Sequence, residues 1–242
     1  MTNLMIDLMI LLSSIIAVCF VFVPHEFAHA FVAYKCGDGT AKMHGRMTLN
    51  PVKHIDPVGI ILCIFAGFGW AKPVPINPYN FTNFRKGLFL TAIAGVVTNY
   101  IVAFFAYPLH LALDYFALPA VLDSDVLYYL VFFLDQIFFL TFLYSLSVFI
   151  FNLLPLYPLD GFRVIESFTR EINPVRKFLR NYGYYILIGL VLESILCDVL
   201  YTRLDLEFAQ YFDILGYVQW FAQEIIGFPI TALWNLIFGI KL

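Results

Sequence analysis

The sequence predicts an all-α polytopic membrane protein, and two observations predict it. Of 242 residues, 62% are hydrophobic and only 13% charged, about half the charge of a soluble domain. The apolar residues also gather in runs of roughly 20 or more, the length a helix needs to cross the hydrocarbon core. A net charge of −3 gives no sign of a nucleic-acid partner. Cys19, Cys36, Cys63 and Cys197 show no C-x-x-C spacing and read as small apolar residues.

Residues 4–34 form the first expected span. The N-terminus lacks the basic region and cleavage site of a signal peptide, so this run reads as a retained membrane helix. Residues 87–113 and 126–156 qualify next. Residues 182–201 qualify despite Glu193 and Asp198, and 208–240 form one tilted span or an interfacial helix followed by a short one. The stretch 58–71, "VGIILCIFAGFGWA", is too short to cross comfortably, carries three glycines and precedes "KPVPINP". It reads as a re-entrant segment.

Charge asymmetry orients the spans. Lys35, Lys42, Arg46 and Lys53 precede 58–71, and Lys72, Arg85 and Lys86 follow it. Both sets stay cytoplasmic only if that segment dips in and returns. Residues 114–125 carry acids and no base, so they read as outside; Arg163, Arg170, Arg176, Lys177 and Arg180 read as inside. The first helix then ends inside, and His25 and His29 lie about 7–14 Å deep.

Ionisable groups inside a span are costly and point to function. "HEFAH" sets His25 and His29 four residues apart, on one side of a helix, where both can grip one metal ion. Glu26 points about 100° away, placed to act on water at the metal without ligating it. This is the H-E-x-x-H pattern of zinc hydrolases, with the glutamate as general base. The bland alternative pairs Glu26 with a base, but no Lys or Arg lies nearby in the first helix. Pro24 removes a backbone donor and is expected to kink or loosen the helix.

A catalytic zinc site usually has a third protein ligand. Candidates are His44, His54, Asp56, Asp135 and Asp160, with Glu166 the nearest glutamate on a later helix. Asp160 is favoured. In "NLLPLYPLDGFR", Pro155, Pro158 and Gly161 break the chain at about the depth of the histidines. Asp135 lies in the wrong half of the bilayer and reads as a buried acid bonded to Gln136 or a tyrosine hydroxyl.

With "HEFAH" at 25–29 and "NLLPLYPLDG" at 152–161, the sequence resembles the site-2 protease family of intramembrane zinc metalloproteases. "GRMTLNPVKHIDPVG" at 45–59, "GFGWAKPVPINP" at 67–78 and "AGVVTN" at 94–99 add to the likeness; the last has Val96 where the family favours proline. The resemblance covers about residues 10–165. It implies a three-helix catalytic core over 1–165, with 58–71 as a membrane-dipping β-like element. Two to three further membrane helices follow over 166–242, with no room for a PDZ or CBS domain.

The resemblance further implies one Zn2+ per chain on His25, His29 and Asp160, and Glu26 as base. Asn152 resembles an asparagine near the metal; its amide either donates to the developing oxyanion or caps the helix at the break. Asn99 is expected to bond across helices, with Gly95 letting two backbones approach. The substrate would be a transmembrane protein or peptide in the lipid bilayer, cut near the cytoplasmic side of the cell membrane. Extended substrate could pair with an edge in 45–75. Arg176, Lys177 and Arg180 are expected at lipid head groups, and Glu193 and Asp198 near Arg203 or the interface. A homo-oligomer is left open. The rivals are a divalent-metal transporter and a catalytically inactive relative that binds membrane helices.

Overall fold

The computed structural model describes residues 2–59 and 71–240. Seven helices carry the fold: α1 (Thr2–Lys35), α2 (Phe84–Ala112), α3 (Asp125–Leu153), α4 (Asp160–Phe168), α5 (Pro174–Leu204), α6 (Ile214–Phe221) and α7 (Phe228–Phe238). No strand occurs among the described residues. The expected re-entrant element lies almost wholly in 60–70, outside them. Residues 71–77 take no regular secondary structure.

The three long helices match the first three expected spans, and four helices in all are long and apolar enough to cross a membrane. The chain is therefore an all-α, multi-pass membrane protein. α2 runs on through a π-helical turn, Leu113–Ala117, and a last turn, Leu118–Ala120. That leaves a shorter outer connection than the sequence suggested. α1 continues through Pro24 without a break.

Helices surrounded by lipid gain little from burying more apolar surface, so small residues and polar contacts hold them together. α1, α2 and α3 pack against one another in this way. On α2 the buried residues Leu88, Ala92, Gly95, Val96, Asn99, Ala103 and Ala106 recur every three or four positions, forming one stripe. Helix starts are capped by side chains: Asn83 accepts from Lys86 N–H and Asn173 from Arg176 N–H, each at 3.1 Å.

The C-terminal third takes a path the sequence did not reveal. α6 and α7, joined through the π-helical turn Ala222–Ile226, bend by 41°, and α7 runs parallel to α2. Tyr100 O–H donates to the Ile226 carbonyl, Trp234 Nε1–H to the Phe104 carbonyl, and Tyr107 O–H to Asn235 Oδ1. Phe238 then reaches Phe116 in the π-helical turn that follows α2. At its other end, α6 lies against Ile150 and Leu154, where α3 finishes, enclosing an apolar groove of about 380 Å³.

This path constrains α5. Near its start Gly183 backs onto the Tyr157 backbone, so that a Cβ there would come within 2.6 Å of the Tyr157 nitrogen. At its end the chain reverses at Asp205, which sits in the left-handed region with φ 52°. α5 then packs on Glu207–Tyr211 and α6. The first half of α5 therefore meets the chain break after α3, and its end meets α6. Although long and apolar enough to cross, α5 does not run alongside α1, α2 or α3.

Candidate metal centre

α1 brings His25, Glu26 and His29 to the junction with α2, and the chain break after α3 brings Asp160. All four are buried, at 8% exposure or less. His25 Nε2 and His29 Nε2 are 2.9 Å apart, and Asp160 Oδ2 lies 3.4 and 3.0 Å from them. Among the described residues this is the one cluster of three or more such donors.

Two close contacts make the convergence steric as well as chemical. The ring of His29 and Cε1 of His25 fill the space where a Cβ on Gly95 would lie. Gly161 presses on the carbonyls of Leu153 and Leu154, which folds the break tightly and turns Asp160 back toward α1. α4 is then fixed from outside: Glu166 accepts from Arg176 and Arg180 of α5, and Arg176 Nη1 donates to the Thr169 carbonyl at 3.2 Å.

Metal chemistry fits this donor set. A carbonyl can only accept, so the 2.7 Å contact with the Thr91 carbonyl makes His29 Nδ1 the protonated nitrogen. In the neutral ring, the Nε2 lone pair then faces the cluster. Asp160 Oδ2 is buried and receives no hydrogen bond. Tetrahedral zinc with bonds near 2.1 Å holds its donor atoms about 3.4 Å apart; the His25–Asp160 separation matches that, and the other two are 0.4–0.5 Å shorter.

Glu26 stands beside the cluster. Its Oε2 accepts the backbone N–H of Val74 at 2.8 Å. Residues 71–77 are fixed in turn: Arg46 Nη2 donates to the Lys72 and Pro73 carbonyls at 2.7 and 3.3 Å, and Lys72 N–H donates to the His54 carbonyl at 2.8 Å. Asp38, fully buried, accepts from the Asn77 N–H, Asn80 Nδ2, the Thr40 N–H and the Thr40 hydroxyl. Burial raises the Asp38 pKa, and the donors from Thr40, Asn80 and Asn77 outweigh it, leaving the carboxyl below its ordinary value.

The other candidates are placed elsewhere. Asn152 Nδ2 donates to the Val148 carbonyl at 3.1 Å, one turn back, and makes no hydrogen bond to the cluster. Asn99 instead touches it, its Nδ2 lying 3.1 Å from His25 Nδ1. His54 Nε2 donates to the Thr48 carbonyl, His44 caps Thr40, and Asp56 accepts from Val58 and Gly59. Asp135 bonds His110 Nδ1 at 2.7 Å, with Gln136 at 3.3 Å.

One expectation needs correction, and two alternatives are narrowed. Glu166, the rival third ligand, gives its carboxylate to two arginines of α5. Arg176 is buried on that carboxylate rather than spread on head groups, and Arg180 reaches it too. Glu193 accepts from Cys197 Sγ, and no ion pair joins it or Asp198 to Arg203 among the described residues. The roles of Thr91, Val74, Asp38 and Arg46 escaped the sequence reading. Two of them act through backbone atoms, which carry no side-chain signature.

Histidine and carboxylate donors at this spacing, closed in by helices that lipid surrounds, suit a zinc hydrolase working inside the membrane. The family model for peptidase family M50 matches residues 130–194, which include Asp160 and much of α5. YwhC of Bacillus subtilis, whose name assigns it to the zinc metalloproteases, is 40% identical over 185 residues, 76% of this chain and 82% of its own. The similarly named Rip2 of Mycobacterium tuberculosis is 27% identical over 195 residues, 76% of this chain and 69% of its own. Rip2 of Mycolicibacterium smegmatis is 28% identical over 222 residues, 87% and 76%. No solved structure matches significantly. The chain belongs to peptidase family M50, the site-2 protease family, and is an intramembrane zinc metalloprotease.

Proposed function

We propose that His25, His29 and Asp160 hold the zinc ion and that Glu26 is the general base for cleavage of peptide bonds in or near membrane-spanning segments. The observation that carries this is the meeting of three donor atoms from distant parts of the chain. Zinc bound there supplies a Lewis acid that acidifies water and polarises the scissile carbonyl. The protein supplies the rest. With Oε2 of Glu26 held by Val74, the other oxygen is free to take a proton from water and return it to the leaving amine. Asn152 is the oxyanion donor in this reading; an amide carries two N–H bonds, and only one is given to Val148.

The same reading makes 1–165 the catalytic unit, with 166–242 flanking it and 58–71 re-entering the membrane at cytoplasmic depth. A helical substrate must unwind locally to expose a carbonyl. Donor accounting favours pairing away from 71–77, since the N–H groups of Lys72, Val74 and Asn77 are already engaged and Pro73 and Pro75 have none. A transporter would carry polar groups across the whole bundle, and an inactive relative would have no need of Glu26. The test is zinc content and cleavage of a membrane-embedded reporter peptide by wild type, Glu26→Gln and Asp160→Ala. Glu26→Gln should keep zinc and lose cleavage, and Asp160→Ala should lose both. Zinc retained in Asp160→Ala would overturn the ligand set.

A further inference from the structure

Both histidines need a bare Nε2 to ligate a metal, so both need their proton on Nδ1 and an acceptor for it. For His29 that acceptor is the Thr91 carbonyl, 2.7 Å away. For His25 the hydrogen-bonding neighbour at Nδ1 among the described residues is the side-chain amide of Asn99, at 3.1 Å, on a residue with no exposure. An amide oxygen can accept that proton and an amide nitrogen cannot. With the nitrogen toward His25, the imidazole proton is driven to Nε2, into the cluster. That proton would be donated to His29 Nε2, 2.9 Å away, closing both nitrogens to a metal ion. Meanwhile Asn99 Oδ1 is buried with no donor. A half-turn of the amide exchanges oxygen for nitrogen with almost no change in shape.

We infer that Asn99 accepts the Nδ1–H of His25 through Oδ1 and thereby holds His25 in the tautomer whose Nε2 is free for the metal. Asn99 is a positioning residue, reaching the metal only through His25, and the inference rests on the zinc reading above. It also explains why a buried asparagine sits on the small-residue stripe of α2, four residues after the glycine that admits both rings. Thr91, Gly95 and Asn99, one helical turn apart, then serve the two ligands in turn: an acceptor for His29, space for both rings, an acceptor for His25.

The test is zinc affinity by chelator competition on purified wild type, Asn99→Asp and Asn99→Leu, with helicity and melting of the metal-free forms beside it. Aspartate keeps an acceptor and loses the donor; leucine loses both. Asn99→Asp should bind zinc within a few-fold of wild type. Asn99→Leu should bind about 10–100-fold more weakly with its metal-free fold intact. If Asn99→Asp binds as weakly as Asn99→Leu, or if Asn99→Leu binds as tightly as wild type, the inference is overturned. Should Asn99→Leu not fold, Asn99→Asp decides alone: retention supports the inference and loss overturns it. Wild type that takes up no zinc would sink the zinc reading itself, a result distinct from either variant's.

Discussion

The ring of His29 lies where a Cβ on Gly95 would have to be. Glycine at 95 is thus a requirement of the metal centre and not only of helix packing. Gly95→Ala should push both imidazoles off their positions, since a Cβ there would come within 2.7 Å of ring atoms of both. Zinc affinity should drop by more than about 100-fold, while overpacking costs about 1–3 kcal/mol of stability. Melting and zinc titration of the variant check this, and zinc binding at wild-type strength would contradict it.

Val74 acts on Glu26 through its backbone alone. Val74→Pro deletes the N–H, whereas Val74→Ala keeps it. The lost bond is a charge-assisted one, worth about 1.5–3 kcal/mol. Cleavage by Val74→Pro should therefore fall about 10–100-fold in kcat, with zinc content unchanged and Val74→Ala near wild type. Equal loss in the two variants would assign Val74 to packing.

Asp38 clamps the loop after α1 to Asn77 and Asn80. Its folded pKa is depressed, so its contribution to stability is complete above the ordinary carboxylate value, about 3.9, and is lost as pH falls toward the folded value. Wild type should lose melting temperature below about pH 4 more steeply than Asp38→Asn. Parallel curves would remove Asp38 from the account.

The parallel course of α2 and α7 fixes where the chain ends. α1, α2, α3 and the broken helix α6–α7 make four crossings if α5 lies across the inner end of the bundle. The C-terminus should then emerge on the same side as the N-terminus. Labelling of single cysteines placed at each end, in intact cells, reads this directly; a cytoplasmic C-terminus would mean that α5 crosses.

Much of this was legible in the sequence because it depends on local spacing or on the solvent. Apolar length marked α1, α2 and α3, since a bilayer demands about 20 apolar residues per helix. The four-residue interval of His25 and His29 put both on one helix side, and Pro155, Pro158 and Gly161 announced the break that returns Asp160. Gly95 and Asn99 were expected at a helix contact, though not at the ligands themselves.

Only the tertiary structure decided which backbone groups serve the site and how the last third of the chain runs. The Thr91 carbonyl and the Val74 N–H are present in any residue, so no residue type advertises them. Glu166 and its arginines have an ordinary charge pattern until α4 and α5 are folded together. The direction of α7 depends on Trp234 donating to the Phe104 carbonyl of α2 and on Tyr100 of α2 donating to the Ile226 carbonyl, each pair more than 120 residues apart in sequence. By itself, the sequence determined the solvent, the first three long helices and the candidate metal donors, because each follows from composition or spacing within one segment. The fold decided the second set of contacts that aim those donors, because each joins segments that meet only after folding.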